Sequence, residues 1–169
     1  MRQPPTRRRA QHGFTLIEVV IALAVLALLM SMTLPSFGEA VARQRLKSVA
    51  EDLALDLGEA RLESLRGTPI HLTLRTGRNW CWAIGPTPDV DCTGPVPGAT
   101  RVVRADDYPG ITMSAGASSS FGGRETLAVA ATAAEFVSVQ GQTLRVHMTP
   151  LGRAIVCSPQ SRLGDYPRC

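Results

Sequence analysis

The sequence predicts an α+β fold, in which one long N-terminal helix is followed by a head built of β-strands. Three observations lead to this prediction. Residues 14–34 form a nearly unbroken apolar run. Residues 46–60 repeat apolar side chains at steps of three and four, and short segments after residue 67 alternate apolar with polar side chains. The first two patterns are typical of helices, and the alternation is typical of half-buried strands.

Residues 1–13 are predicted to be a basic leader that is cleaved. The leader holds four arginines and no acid. Without these arginines the chain has 14 basic and 14 acidic residues, so the formal net charge of +4 belongs to the leader alone. Global basicity therefore gives no argument for a nucleic-acid partner. Arginines next to a membrane span stay on the cytoplasmic side, which predicts a cytoplasmic N-terminus.

Residues 14–35 are predicted to be the transmembrane half of the N-terminal helix. A helix needs about 20 mostly apolar residues to cross a bilayer, and this run has that length. Glu18 is the only acid inside it, and no Lys, Arg or His accompanies it. An acid within a membrane segment marks a functional position by default, and it needs a partner.

A cleavage after Gly13 would provide that partner. The new amine on Phe14 is cationic near neutral pH, and it could meet Glu18 of its own chain or Glu18 of a neighbouring chain. Two other interpretations compete with this one. An ordinary secretory signal has a shorter apolar core and a small-residue cleavage site after it, and a plain signal anchor would carry Glu18 by accident.

Residues 36–66 are predicted to continue the helix outside the membrane as an amphipathic half. Its apolar stripe consists of Leu46, Val49, Ala50, Leu53, Leu57 and Ala60. Gly67 and Pro69 end the helix, because neither residue type continues one well. The apolar stripe must be buried against another part of the chain. Residues 67–169, the predicted β-rich globular head, are the candidate.

The head is predicted to form an antiparallel β-sheet whose apolar face packs on this helix. Eight segments show strand signals, and turn signals divide them. These segments are residues 69–75, 79–84, 100–104, 110–114, 125–131, 135–141, 143–149 and 153–158. Residues 116–123, GASSSFGG, have the composition of a flexible loop.

The four cysteines, Cys81, Cys92, Cys157 and Cys169, favour disulfides over a metal site. They contain no C-x-x-C pair and lack histidines at zinc-binding spacing. Four cysteines allow three connectivities. The sequence-local pairing of Cys81 with Cys92 and of Cys157 with Cys169 is favoured, with a C-terminal disulfide loop as one result, and free thiols are the alternative. Disulfides fit a head in an oxidising compartment.

No catalytic constellation is predicted. The histidines are His12, His71 and His147. Two pairs of acids, Asp89 with Asp91 and Asp106 with Asp107, lie among Pro and Gly residues, where acids commonly shape turns. An active site needs several convergent polar groups, which the sequence does not suggest. The chain is therefore predicted not to be an enzyme and to require no cofactor and no metal.

The string GFTLIE followed by an apolar run resembles the type III signal of type IV pilins and type II secretion pseudopilins. The resemblance implies that prepilin peptidase cleaves between Gly13 and Phe14, and that Phe14 is then N-methylated. It assigns Glu18 to pairing with a neighbour's amine during filament assembly. Pro35 matches the helix-kinking proline of that family.

The resemblance also implies a pilin-like fold: a long N-terminal transmembrane-to-periplasmic helix packed on an antiparallel β-sheet head. The expected location is the bacterial inner membrane, with a single pass, a cytoplasmic N-terminus and a periplasmic head, followed by incorporation into a pilus or pseudopilus. The expected partners are other pilin or pseudopilin subunits, which bind through the N-terminal helix, together with prepilin peptidase and the inner membrane.

The stretch LALDLGEARLESLRGTPIHLTL is similar to the GspH/FimT branch of this family. The residues that carry the similarity are Leu53, Leu57, Ala60, Arg61 and Ser64. GspH-type proteins are minor pseudopilins of the type II secretion system and serve protein secretion. FimT-type proteins are minor pilins of type IV pili, and some of them bind DNA during transformation. The similarity implies a structural subunit near the filament tip, or alternatively a DNA-binding minor pilin.

The DNA-binding FimT pattern is similar to G-R-x-R. Gly152, Arg153 and Ala154 match it, but Ile155 stands where the second arginine belongs. The candidate DNA contacts are Arg145, Arg153, Arg162 and Arg168. Only Asp165 opposes them in residues 136–169. Contacts of this type would give salt-dependent, sequence-independent binding; the alternative is a solvated face with local ion pairs.

Overall fold

The computed structural model describes residues 14–122, 133–149, 152–160, 163–164 and 166–169. Gly13, Arg162, Asp165 and the predicted strand at 125–131 lie outside the described residues. The chain divides into two units, residues 1–38 and residues 39–169. All the strands that the structure describes belong to the second unit.

Helix α1 (Leu16–Ser64) confirms the predicted helix and begins and ends within two residues of its predicted limits. In the first unit, the side chains of residues 14–31 are exposed. Pro35 lies inside α1, and its kink stays a prediction. Among the described residues, no helix combines the length and the apolarity that a bilayer crossing requires. The transmembrane assignment of residues 14–35 stays a prediction.

The described residues of the head form two antiparallel sheets, where the sequence predicted one. The strands are β1 (Ile70–Arg75), β2 (Cys81–Gly85), β3 (Arg101–Arg104), β4 (Ile111–Ala115), β5 (Ser119–Phe121), β6 (Ala133–Ser138), β7 (Thr143–Met148) and β8 (Ala154–Cys157). The first sheet has the order β3-β2-β1-β5, and the second has the order β4-β6-β7-β8. The chain passes from one sheet to the other after β3, through a short 3-10 helix at Ala105–Asp107. Alternation of side chains predicts strands, but it does not specify which strands become neighbours.

Strand β5 (Ser119–Phe121) corrects the middle of the loop predicted for residues 116–123. Its three residues pair with the edge of β1, from Phe121 opposite Ile70 to Ser119 opposite Leu72. Phe121 is buried in the core. An apolar anchor and an available strand edge therefore order a segment whose glycines and serines alone would not predict a strand.

The predicted stripe on α1 is confirmed as the buried face of the helix. Each of its six residues is at most 1% exposed, and the stripe forms one hydrophobic cluster with apolar residues of both sheets. Trp80 and Trp82 lie in this cluster with their ring centroids 5.4 Å apart. Phe136 of the second sheet packs edge-on against both rings. Side chains of both sheets therefore cover the stripe.

One carboxylate, Asp56, interrupts the buried face of α1. Its Oδ2 accepts a hydrogen bond from Trp82 Nε1 at 2.8 Å, and Arg101 Nε lies 3.4 Å from the same oxygen. Burial raises the pKa of Asp56, whereas the hydrogen bond from Trp82 acts in the opposite direction. The carboxylate therefore joins the helix to strands β2 and β3 of the first sheet.

Both predicted disulfides are present in the structure. Cys81–Cys92 connects β2 to the loop that follows it, and the two cysteines contribute to a small second hydrophobic cluster. Cys157–Cys169 connects the end of β8 to the C-terminus. The Cys169 N–H also donates to the Ser158 carbonyl at 3.2 Å, so the C-terminal residue is held by its backbone as well as by its side chain.

Candidate assembly interface

The segment from Phe14 to Glu18 forms the start of α1. Thr15 occupies the cap position, because its carbonyl accepts hydrogen bonds from the N–H groups of Glu18 and Val19 at 3.1 and 3.3 Å. Thr15 Oγ1 accepts a further bond from the Glu18 N–H at 3.3 Å. A threonine cap followed three residues later by Glu is the capping-box pattern. Glu18 therefore lies in the first turn, where the helix dipole favours a negative charge.

This capping position was missed from the sequence, although T-x-x-E before an apolar run is its signal. It gives Glu18 a local structural role besides the predicted role in assembly. Phe14 and Glu18 are both exposed in the single chain, so each is accessible to a second subunit. The predicted pairing of Glu18 with a neighbour's amine is compatible with this geometry and stays a prediction.

The apolar side chains of the first unit form a large exposed surface. Phe14 is 83% exposed, Leu16 81% and Leu28 69%. Contiguous apolar surface of this kind marks a site of protein or membrane interaction, because single soluble chains rarely expose it. The N-terminal segment is therefore the part of the described chain that most requires a partner.

The structure describes three of the four candidate DNA contacts, and these three do not form one cluster of unpaired charges. Arg145 on β7 donates to Glu135 Oε2 on β6 from Nη2 at 2.8 Å and from Nε at 3.2 Å, so a neighbouring acid neutralises it. Arg153 and Arg168 are exposed, and neither pairs with an acid among the described residues. Arg162 lies outside those residues.

The two exposed arginines lie at opposite ends of β8. Arg153 precedes the strand, and Arg168 forms a bridge with Ser158, which follows it. At about 3.3 Å per residue, their backbones are roughly 16 Å apart along the strand. The arginines therefore form two separate positive positions and not one cluster.

Arg61 and Gly152, which belong to two different sequence patterns, contact each other. A Cβ built on Gly152 would lie 0.8 Å from Arg61 Nη1 and 1.9 Å from Arg61 Cζ. Gly152 also has a φ of 73°, a left-handed conformation that glycine adopts without steric cost. Packing against α1 therefore explains the glycine of the G-R-A sequence without a role in DNA binding.

The polar side chains with metal-binding or nucleophilic chemistry include those of His, Cys, Asp and Glu. In the part of the chain that the structure describes, no group of three or more His, Cys, Asp or Glu side chains could hold a metal ion. His147 Nδ1 lies 3.7 Å from Cys157 Sγ, but that sulfur belongs to a disulfide and is not a thiol nucleophile. The expectation that the chain is not an enzyme stays a prediction.

Comparison with known proteins supports an assembly role for the N-terminus. Residues 8–34 match the prokaryotic N-terminal methylation motif, which is the signal of type IV pilins and pseudopilins. Neither a curated protein nor a solved structure matches the sequence. The motif supports a type IV pilin-like protein that prepilin peptidase processes and that assembles with other pilins. It implies membrane anchoring and incorporation into a pilus.

Proposed function

We propose that this chain is a minor pilin or pseudopilin of the GspH/FimT type. It would be a structural subunit that takes part in assembly near the tip of a type II secretion pseudopilus or of a type IV pilus. The observation that carries the proposal is the methylation motif at residues 8–34, whose acid lies in the first turn of an exposed apolar helix. The GspH/FimT type is supported by the sequence similarity of residues 53–74, in which Leu53, Leu57, Ala60, Arg61 and Ser64 match the pattern of that branch.

In this proposal, processing prepares the subunit for assembly. Cleavage between Gly13 and Phe14 removes the basic leader and creates an amine on Phe14, which is then methylated. Residues 14–35 anchor the subunit in the inner membrane, with the head on the periplasmic side. An unpaired carboxylate is costly in a membrane. Pairing of Glu18 with the amine of a neighbouring subunit neutralises both charges and therefore favours the assembled state.

Replacement of Glu18 by glutamine tests this mechanism. Glutamine at the third helical position also suits a capping box, so Glu18→Gln keeps the helix start and removes the charge. We expect normal membrane insertion and normal leader cleavage, whereas incorporation into filaments falls about tenfold, which corresponds to a loss of about 1.4 kcal/mol. Glu39→Gln is the matched control, because Glu39 is an exposed acid on the same helix. Normal incorporation of Glu18→Gln would contradict the mechanism.

A second candidate function is DNA binding by the same scaffold, as in a DNA-uptake minor pilin. The exposure of Arg153 and Arg168 without ion pairs to described residues favours it. Both charges are available to phosphate oxygens. Each phosphate contact releases counterions, so the logarithm of the affinity falls with the logarithm of the salt concentration by about 0.9 per contact.

The DNA candidate is tested with the full chain in detergent and duplex DNA at several salt concentrations. We expect Arg153→Ala with Arg168→Ala to weaken binding to all sequences alike and to reduce the salt slope by about two units, one for each phosphate contact. Arg78→Ala is the control, because Arg78 is exposed between β1 and β2, away from β8. An unchanged affinity and slope in the double variant would remove this candidate and leave the structural role.

A further inference from the structure

The two disulfides of the head differ in their surroundings. In the first bridge, Cys81 and Cys92 are both buried, and partly buried valines pack against their cluster. In the second bridge, Cys157 is also buried, but its partner Cys169 is an exposed residue. An external thiol can therefore approach the second bridge from the Cys169 side, whereas the first bridge is enclosed at both ends.

Access decides which sulfur of the second bridge an attacking thiolate meets. In thiol–disulfide exchange, a thiolate bonds to one sulfur and the other sulfur leaves as a thiolate. Attack is therefore expected at Cys169 Sγ, with Cys157 Sγ as the leaving group. Exchange is faster when the leaving thiolate is more stable, so the surroundings of Cys157 determine how readily this bridge opens.

His147 on β7 lies beside the sulfur that would leave. Its Nδ1 is 3.7 Å from Cys157 Sγ, which is within hydrogen-bonding distance for sulfur. With a proton on Nδ1, the imidazole can donate to a thiolate, and because it is half-buried it can recover that proton from water. Arg145 is the residue opposite Cys157 in the ladder, but its guanidinium donates to Glu135. His147 is therefore the side chain placed to protonate Cys157.

We propose that Cys169 is a site of reversible thiol–disulfide exchange with a dithiol, and that His147 donates the proton to Cys157. First, one thiolate of the dithiol bonds to Cys169 Sγ, the bond to Cys157 Sγ breaks, and Cys157 takes the proton from His147. Next, the second thiolate of the dithiol attacks the mixed disulfide and releases Cys169, which takes a proton from water. The dithiol loses two electrons and two protons, and the bridge gains two of each.

The backbone around the second bridge suits repeated opening and closing. The Ser158 N–H donates to the Pro167 carbonyl at 2.9 Å, and the Cys169 N–H donates to the Ser158 carbonyl at 3.2 Å. Neither hydrogen bond requires the bond between the sulfurs. The reduced thiols therefore stay near each other, and the oxidised form of the same dithiol can rebuild the bridge. This inference uses only contacts within the head and does not rest on the proposed function.

Reaction of the full chain in detergent with glutathione tests the direction of attack. Glutathione is a monothiol, so the mixed disulfide of the first step accumulates. Free thiols are then blocked with a maleimide at low pH, and the peptides are analysed by mass spectrometry. We expect glutathione on Cys169 and the maleimide on Cys157. We also expect the second bridge to open at least about tenfold faster than the first, because the first is enclosed. Glutathione on Cys157, or equal rates for the two bridges, would overturn the proposal.

Substitution of His147 tests the proton donor. His147→Phe keeps a ring and removes the donor, so it should slow the opening of the second bridge about tenfold, because the leaving thiolate loses a hydrogen bond to its charge. The rate of the first bridge should not change, which also shows that the fold is intact. His147→Asn should restore most of the rate, since its amide N–H lies near the position of Nδ1.

His71→Phe is the matched control, because His71 is a half-buried histidine on β1 of the other sheet. It should leave both rates unchanged. An unchanged rate in His147→Phe, or a His147→Asn variant as slow as His147→Phe, would overturn the assignment of His147. The position of glutathione in the wild-type chain requires no variant, so it decides the site of attack even if a substitution disturbs the fold.

Discussion

Asp56 is the charge on which the packing of α1 against the first sheet most directly depends. Its side chain is only 9% exposed, whereas that of Arg101 is 51% exposed. The Asp56→Ala substitution removes the acceptor of the Trp82 Nε1–H bond, which is 2.8 Å long. Trp82 is fully buried, so its N–H group is left without a protein acceptor. Arg101 remains hydrated, because half of its side chain faces solvent.

The expected cost follows from the hydrogen bond to the indole. A hydrogen bond to a charged group contributes about 1.5–3 kcal/mol, and a buried donor left without an acceptor costs about 1–3 kcal/mol. Arg101 adds little, because exposed ion pairs contribute about 0–1 kcal/mol. The substitution also removes the cost of burying the Asp56 charge, which offsets part of the lost hydrogen-bond energy. We expect Asp56→Ala to lower the free energy of unfolding by about 2 kcal/mol and Tm by about 7 °C.

Tryptophan fluorescence during urea unfolding measures this effect in the full chain, with its disulfides intact. The two tryptophans of the chain are Trp80 and Trp82, which stack on each other in the core. Trp82→Phe removes the N–H group and keeps an aromatic ring. In the Asp56→Ala background, this second substitution should therefore cost at least about 1 kcal/mol less than in the wild type. Strictly additive effects would refute the reasoning.

The raised pKa of Asp56 adds a pH dependence with a defined sign. Its folded-state pKa lies above the ordinary value of 3.8, mainly because of burial, and Asp52 and Glu59 act in the same direction. The folded state then binds the proton more tightly than the unfolded state. Above the folded-state pKa, the buried charge of Asp56 destabilises the folded state. This destabilisation disappears as pH falls toward 3.8, because the carboxylate is then protonated in the folded state. Asparagine at position 56 cannot take up this proton. The free energy of unfolding of Asp56→Asn should therefore fall further below that of the wild type as pH is lowered from the folded-state pKa toward 3.8. A difference that stays constant with pH would contradict the raised pKa of Asp56.

Two further predictions concern the β7–β8 turn and the C-terminus. Gly152→Ala should lower the free energy of unfolding by about 2 kcal/mol or more, because a left-handed backbone conformation costs about 1–2 kcal/mol and the new Cβ must displace Arg61. Gly141→Ala is the control, because Gly141 also has a left-handed φ of 77° but no atom lies within 4 Å of its added Cβ. It should therefore show the backbone cost alone. Equal urea midpoints for the two variants would contradict the clash. Cys157→Ser with Cys169→Ser should lower the free energy of unfolding by about 3 kcal/mol, and an unchanged urea midpoint would count against that bridge.

The helix and its buried stripe could be predicted because helical periodicity is a local signal. Residues three and four apart in sequence share one face of a helix, so the pattern of Leu46 to Ala60 identified both the element and its dry side. The disulfides could be predicted for a similar reason. Each joins cysteines only 11 or 12 residues apart, and loop closure over short distances is favoured.

The contacts that were missed join residues far apart in the chain. Asp56 meets Trp82 across 26 residues, and Arg61 meets Gly152 across a still longer separation. The pairing of Arg145 with Glu135 depends on the register of β6 against β7, which alternation does not determine. The division into two sheets has the same cause, because short strands of similar pattern can pair in many orders. Such choices follow from the packing of the whole head and leave no local signal.

Glu18 has two candidate roles, one at the start of α1 and one in contact between subunits, and a single substitution can separate them. In the proposed function, removal of the leader would leave a cation at Phe14, one residue before the Thr15 cap, where the positive end of the helix dipole would disfavour it by about 0.3–1 kcal/mol. Glu18 would offset that cation within its own chain, so the proposal makes an acid favourable here even before assembly. In Glu18→Gln the cap remains and the charge is lost. Reduced incorporation with unchanged helix content would assign the charge to contact between subunits, whereas reduced helix content would assign it to the start of the helix.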